Sequence, residues 1–556
     1  MGPVVAALAV AAALGVIAGA ASPKFFPDDP IRVDDDRAVD ASKVQPTDRG
    51  NLYDFVEHTF FAPGDREPRP AVNVNTIGEV PDSSWFTNRI GARPVSIAEI
   101  VRGPDRVERL SIDGWDIVEG KDEGLQPGLR VADPATNHIY HVEFDPPSNP
   151  EMASGAEMVG TALYHAFGYH VVDVYLVEFD PRKTRIRPGA TIRDTVSGKR
   201  RPLTWADIDA ALGGAARLPN GAYRALAIRF ADGQPLGSFQ YHGTRPDDPN
   251  DIFPHEHRRE LRGSRVFAAW LNHDDSRRVN SLDMLTESSE GAHYVKHFMF
   301  DFGSIMGSGT AFAQSPRAGN EYLFEPRPGF LTLATLGLWV RPWMRVRYPD
   351  VPASVGRFES DFFHPTAWRP EYPNPAFANM RPDDAFWGAR IVAQFTGEAI
   401  RAIVEKAQYS DPRATEYVTR TLVERRDKVL RAWLNGVNPI DEVRLDRAGR
   451  LTFENAAVRA GVAQPAACYR LRWYRFDNAT GAHAPAGESI VTTPAADAPA
   501  ALLAAGGFVA AAIVAESAEH TGWARPARVY FRRGAGGWEL VGLERGHDRW
   551  PDDEGT

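Results

Sequence analysis

Apolar positions along this chain follow two periods in turn. Between 111 and 179 the first stretches alternate as strands do: Trp115-Asp116-Ile117-Val118 and Tyr140-His141-Val142-Glu143-Phe144, flanking the turn-rich run GKDEGLQPG. Glu151 to Phe167 has a helical spacing, entered through the breaker DPPSNP and closed by Gly168. Val171 to Phe179 returns to strand. Residues 180–221 interrupt the pattern as an insertion. It carries a short helix opened by Thr204, with Asp207 three residues on in a capping-box-like start. Tyr223 to Phe230 is one more strand, ending at the turn ADGQPLG.

Helical spacing then takes over. Arg258 to Trp270 reads as a buried helix, and 384–408 and 412–434 as long helices, the second entered through Asp411 with Pro412 in its first turn. Past Pro439 alternation resumes in Tyr469 to Trp473, and in Val529 to Phe531 and Trp538 to Leu543 around the turn RRGAGG. The expectation for 439–556 is a β-rich, sandwich-like domain of about a hundred residues, interrupted by an Ala-rich helix-like stretch near 498–516. Residues 22–110, rich in Pro and Asp, read as an extension that wraps a folded body. There is no internal repeat.

Length and charge narrow the reading. A chain of 556 residues holds three or more compact units, because single cores rarely grow past roughly 250–300 residues. A formal net charge of -10 argues against a nucleic-acid partner. The one cysteine, Cys468, excludes an internal disulfide and an all-cysteine zinc site, and reads as a small apolar residue. Residues 1–21 begin with an uncharged apolar run ending in Ala18-Gly19-Ala20. They read as a signal peptide, with an uncleaved anchor as the alternative. The expected location is therefore periplasmic or secreted, with membrane or envelope association through the N-terminus.

The chemistry gathers in WLNHDDSRRVNSLDMLTESSEGAHYVKHFMFDFGSIMGSG. Phosphoryl transfer needs a carboxylate to accept the hydroxyl proton. It also needs an amide oxygen and a second carboxylate to hold a divalent metal on the nucleotide phosphates. Asp275 and Asn280 have the five-residue spacing of such a loop, with His273 two residues before and Arg277 two after. Asp274 would pair with Val279, which cannot ligate a metal, so Asp275 is the better base. Two strand-like runs around TESSEGA then lead to Asp301-Phe302-Gly303. A lone Asp-Phe-Gly is worthless by itself; the upstream loop, the helix before it and the hairpin between give it weight.

In this order of elements the chain resembles the atypical protein-kinase-like superfamily that includes the CotH spore-coat kinases, the HipA toxins and the Fam-type secretory kinases, over roughly residues 111–435. The resemblance implies an α+β, two-lobed fold, with an N-lobe over 111–240 and a C-lobe over 241–438. It implies ATP or another nucleoside triphosphate with Mg or Mn, and a phosphotransferase whose protein or small-molecule acceptor is unknown. Asp275 would be the base with Arg277 beside the transferring phosphate, and Asn280 and Asp301 the metal ligands. Gly124 would lie in the lid over the phosphates, and Glu157 would be the helix glutamate. Two departures stand out. Glu143 occupies the strand position expected to hold a phosphate-binding lysine, and no Ala-Pro-Glu anchor follows Asp301. Lys121 either reaches in from the neighbouring strand to pair with Glu157, as in the with-no-lysine kinases, or is a solvated turn residue in a degenerate pseudokinase that serves as an envelope scaffold.

Other clusters read as structural. His255-Glu256-His257 with Glu260 lacks the spacing of a zinc-protease site, and His293 with His297 reads as packing on one strand face. Asp34-Asp35-Asp36 reads as a solvated linker, with calcium binding as the alternative.

Overall fold

The computed structural model describes residues 22–546, apart from 49, 122–125, 195–196 and 505. The apolar leader and Gly124 lie outside the described residues. The first elements are two short helices, α1 (Asn51–Val56) and α2 (Ile97–Arg102). Three antiparallel strands follow: β1 (Asp116–Gly120), β2 (Gly128–Ala132) and β3 (Ile139–Phe144). Helix α3 (Met152–Phe167) leads into β4 (Val174–Phe179), then come β5 (Arg185–Arg193), β6 (Arg200–Pro202), α4 (Trp205–Leu212) and β7 (Tyr223–Arg229). These seven strands form one sheet in the order β4-β7-β3-β2-β1-β5-β6, antiparallel except where β1 meets β5.

Alternation sorts the residues of β3. Tyr140, Val142 and Phe144 turn into a core shared with Ile117, Val131 and the α4 residues Ile208 and Leu212. His141 and Glu143 point to the opposite face. Glu143 pairs across the ladder with Leu226, which packs with Met158 of α3, so cross-strand geometry places Glu143 on the face that α3 covers.

Beyond β8 (Gln234–Gly237), helix α5 (Arg259–Leu271) leads into the hairpin of β9 (Ser281–Glu287) and β10 (His293–Met299). There follow α6 (Pro326–Ala334), α7 (Pro375–Ala378), α8 (Pro382–Val392), α9 (Gly397–Glu405) and α10 (Pro412–Trp433). Val159, Leu163 and Phe167 of α3, Phe267 and Trp270 of α5, Trp387 of α8 and Leu422 of α10 share one continuous core. That core runs on into the C-terminal strands through Trp473, Val509 and Val529. Among the described residues no helix is long and apolar enough to cross a membrane.

The C-terminal part holds two antiparallel sheets. One is β11 (Ile440–Leu445), β12 (Arg450–Asn455) and β15 (Ala495–Asp497); the other runs β14 (His483–Val491), β13 (Cys468–Phe476), β16 (Phe508–Glu516), β17 (Ala527–Gly534), β18 (Gly537–Arg545). The N-terminal segment enters two cores. Phe25 packs on Tyr474, Phe476 and Tyr530 of the second sheet, while Trp85 and Phe86 enter the main core.

Four local expectations are corrected. The helix read over 384–408 is two, α8 and α9, because the Thr396 hydroxyl accepts the amide of Ala399 and starts a new helix. Most of the Ala-rich stretch 498–516 is β16, not helix. It lies between β13 and β17, and small side chains fit a strand buried on both faces. The turn ADGQPLG contains β8, which adds an edge to the β9–β10 hairpin. The stretch 180–221 holds the expected helix α4 with its capping box, but also β5 and β6, which widen the main sheet.

Candidate functional site

Helix α5 ends at Asn272, whose backbone enters the left-handed region (φ 52°) that asparagine tolerates at a helix end. The chain turns there into His273-Asp274-Asp275. The His273 ring is buried, its Nδ1 2.7 Å from the Tyr164 hydroxyl of α3. Burial, helped by the nearby Arg277 charge, pushes its pKa down to about 3, so it is a neutral ring at working pH.

The two neighbouring aspartates are held differently. Asp274 accepts a hydrogen bond from Gln314 Nε2 (2.8 Å), and its carbonyl accepts the amide of Glu371 (2.7 Å). Asp275 forms an ion pair with Arg277, whose other arm reaches Glu371 at 2.7 Å. The Asn280 side-chain amide donates to the Asp275 carbonyl at 2.9 Å, closing the loop and leaving Oδ1 as the ligand-capable atom of Asn280. Burial raises the Asp275 pKa, and Arg277 works against that rise.

The hairpin closes the distance between the two halves of the site. Ser281 is paired with Met299, and the Phe300 amide donates to the Asn280 carbonyl (3.2 Å), so Asp301 emerges beside Asn280. Asp301 adopts a left-handed backbone (φ 63°, ψ 60°), sparsely used by any residue but glycine, asparagine and aspartate. Its pKa is pushed up to about 7, first by the protein packed round it and then by the negative charges of Glu143 and Asp275. Because the Asp301 side chain still meets solvent, the second cause is the one that a bound cation would reverse.

Phe302 locks this turn to α3. Its ring stacks on Tyr164 (centroids 4.3 Å apart) and meets His273 edge-on (5.8 Å). The approach is possible because α3 has glycine at 160: a Cβ there would stand 2.4 Å from the Phe302 Cβ. Glu157, one turn earlier on α3, faces the Phe302 amide and the Thr161 hydroxyl (3.1 Å). Burial first, then the charges of Asp301 and Glu143, raise its pKa well above the ordinary carboxylate range.

Lys121 follows β1 directly, and its Nζ lies 2.7 Å from Glu143 Oε1, with His141 Nε2 3.2 Å from the same oxygen. Burial would raise the Glu143 pKa; the neighbouring His141 ring and the Lys121 charge overcome it and hold the group down at about 2. Lys121 also works against the upward shift of Asp301, so its ammonium lies on the site's side of the sheet. It binds Glu143, and among the described residues no ion pair joins it to Glu157.

Asp275, Arg277, Asn280, Asp301, Lys121 and Glu157 are thus linked by hydrogen bonds, ion pairs or mutual charge effects, whereas Gly124 lies outside the described residues. Sequence reasoning missed Tyr164 and Glu371. Tyr164 could have been noticed as a polar-tipped ring on the apolar face of α3; nothing near Glu371 in the sequence marks it. It also missed Glu57, His58 and His242, whose ligand-capable atoms lie within 4.8 Å of one another. His255 is held by Asp251 and the Gln240 carbonyl, His257 by Arg262 and Asp65, and His297 by Asp283 on the face of Trp85. These histidines do structural work, as their sequence context suggests. Asp36 anchors both the amide and the hydroxyl of Ser84.

No protein-family model matches the chain, and no curated protein matches it. Among solved structures, the Helicobacter pylori proinflammatory kinase CtkA is similar at 13% identity and a TM-score of 0.30, over 58% of this chain and 95% of that one. At that score the likeness carries no functional inference.

Proposed function

We propose that this chain is an atypical kinase-like phosphotransferase, two-lobed in its layout, that holds a nucleoside triphosphate with Mg or Mn between the seven-stranded sheet and the β9–β10 hairpin. The observation that carries the reading is the closure of one constellation by the hairpin. Asp301 stands in a left-handed turn beside Asn280, and Asn280 in turn fixes the Asp275 carbonyl.

The roles follow from the chemistry of the groups. Asp301 and the Asn280 amide oxygen would hold the divalent ion, a hard cation that prefers oxygen ligands. Asp275 would accept the acceptor's hydroxyl proton, with Arg277 steadying it and adding positive charge near the transferring phosphate. Lys121 would reach the nucleotide phosphates from the end of β1. Glu157 lies against the Thr161 hydroxyl (3.1 Å) behind Phe302 instead of pairing with that lysine. Thermal denaturation with ATP or ADP and Mg²⁺ or Mn²⁺ tests this directly. Ligand at about a hundred times Kd adds roughly 2.7 kcal/mol if it binds only the folded chain. A metal-dependent shift that disappears in Asp301→Ala supports the site, and no shift with any nucleotide and metal rejects it.

A second reading keeps the fold and drops the turnover. Glu143 supports it, because a carboxylate bound to Lys121 competes with phosphate for that cation. The pseudokinase form predicts nucleotide binding with no transfer to any acceptor or to water, whereas the enzyme transfers phosphate once the acceptor is supplied.

A further inference from the structure

The molecule carries a second feature, away from the nucleotide constellation, that demands a ligand of its own. Helix α6 has no buried residue. In and after it Phe330 is 68% exposed, Leu333 74%, Leu336 91% and Leu338 88%. Soluble monomers rarely leave so continuous an apolar surface open to water. It joins a second exposed aromatic group, because the Phe324 ring lies 5.2 Å from that of Phe60 in the N-terminal segment.

Charge says what covers it. Residues 326–349 hold four arginines and no aspartate or glutamate, within a chain of formal net charge -10. Arg341 is paired with Glu321, while Arg327, Arg345 and Arg347 stand exposed along the apolar run. Exposed leucine and phenylalanine flanked by arginine and by the half-buried Trp339 and Trp343 are the composition of a segment that lies in the interface of an anionic bilayer. A second copy of the chain fits less well. A two-fold contact would bring each copy's basic patch against its own twin.

We propose that the face formed by α6 and the residues to Arg347 docks on an anionic phospholipid surface. Docking there would present the candidate site to the membrane. The Leu323 amide donates to the Glu371 carbonyl (2.6 Å), and the Glu371 carboxylate holds Arg277 at 2.7 Å. One residue therefore ties the apolar face to the loop of Asp275. Lipid docking itself does not depend on nucleotide binding, and it is tested separately.

A reporter on the face reads it locally, even if the apolar leader also binds lipid. The full chain with Cys468→Ser and Leu336→Cys is labelled with an environment-sensitive fluorophore and titrated with phosphatidylglycerol-containing or pure phosphatidylcholine vesicles. The expected result is a blue shift with anionic vesicles that weakens at high salt, and none for the same label at the remote, exposed Thr480→Cys. Combining Arg345→Gln with Arg347→Gln should raise the lipid needed by roughly 30-fold. No shift at position 336 with any vesicle overturns the proposal. So does an equal response to neutral and anionic lipid, or a shift that follows protein concentration without lipid, which would mean a second copy covers the face.

Discussion

Lys121 and Glu143 sit on adjacent parts of one sheet, and the 2.7 Å bond between them pairs the Lys121 ammonium with a carboxylate. The carboxylate is firmly ionised, since its pKa is held at about 2 by His141 and Lys121 against the effect of burial. Phosphate entering the site would meet a cation that already has a partner.

Glu143→Gln should therefore tighten nucleotide binding. Removing one negative charge from beside the phosphates and releasing Lys121 is expected to lower Kd by roughly tenfold, equivalent to about 1.4 kcal/mol. Calorimetric titration with ATP and Mg²⁺ or Mn²⁺ checks it. Unchanged or weaker binding would show that Lys121 does not serve the phosphates.

Asp301 makes stability depend on pH in a particular direction. Burial, then the charges of Glu143 and Asp275, push its pKa up from 3.8 to about 7, an effect that solvent at its exposed side chain weakens, so the folded state binds the proton more tightly than the unfolded state does. The stabilisation is full below the unfolded value and is lost as pH rises through about 7. Buried His273, held down at about 3, acts in the opposite sense over part of this range. The comparison must therefore be wild type against Asp301→Asn. The difference in urea midpoint should favour the variant progressively more from pH 5 to pH 8 when no metal is present. A pH-independent difference would contradict the assignment. For the same reason, Mn²⁺ affinity of the wild type should fall below about pH 7.

Gly160 permits the contact between α3 and Phe302. Gly160→Ala forces a Cβ to within 2.4 Å of the Phe302 Cβ, which neither backbone can yield to cheaply. The expected cost is about 1–3 kcal/mol, read by chemical denaturation, together with weaker metal-dependent nucleotide binding because Asp301 moves with Phe302. A variant as stable as wild type would mean that α3 and this turn separate readily.

Tyr164→Phe deletes the hydroxyl that meets His273 Nδ1 in a buried setting. An unsatisfied ring nitrogen there should cost about 1–3 kcal/mol. The aromatic stack with Phe302 is retained, so nucleotide affinity should change far less than stability. Paired measurements of denaturation midpoint and ATP binding separate the two effects.

Asp275→Asn separates the two functional readings. Loss of a positioned general base lowers transfer by roughly 10²–10⁴-fold, while nucleotide and metal binding through Asp301 and Asn280 should persist. The check is single-turnover transfer from labelled ATP once an acceptor is in hand. Equal transfer by wild type and variant would remove Asp275 from the chemistry.

Much of this site was legible in the chain itself because its parts are local. The period of 151–167 predicts α3, the alternation of 140–144 predicts β3, and the spacing from His273 through Asn280 to Asp301 spans only a helix end, a loop and a hairpin. Each of these depends on neighbours a few residues apart or on a single reversal of the chain, and side-chain period encodes such relationships. The same local logic misread 498–516, because alanine suits a helix alone and a crowded central strand equally well; only β13 and β17 on either side decide between them. Tertiary structure alone decided that Lys121 bonds Glu143 and not Glu157, that Tyr164 reaches His273, and that Glu371 returns to hold Arg277. It also decided that the apolar run after Pro326 faces water instead of a core. Partners far apart in sequence are chosen by how whole elements pack, and no spacing along the chain records that choice.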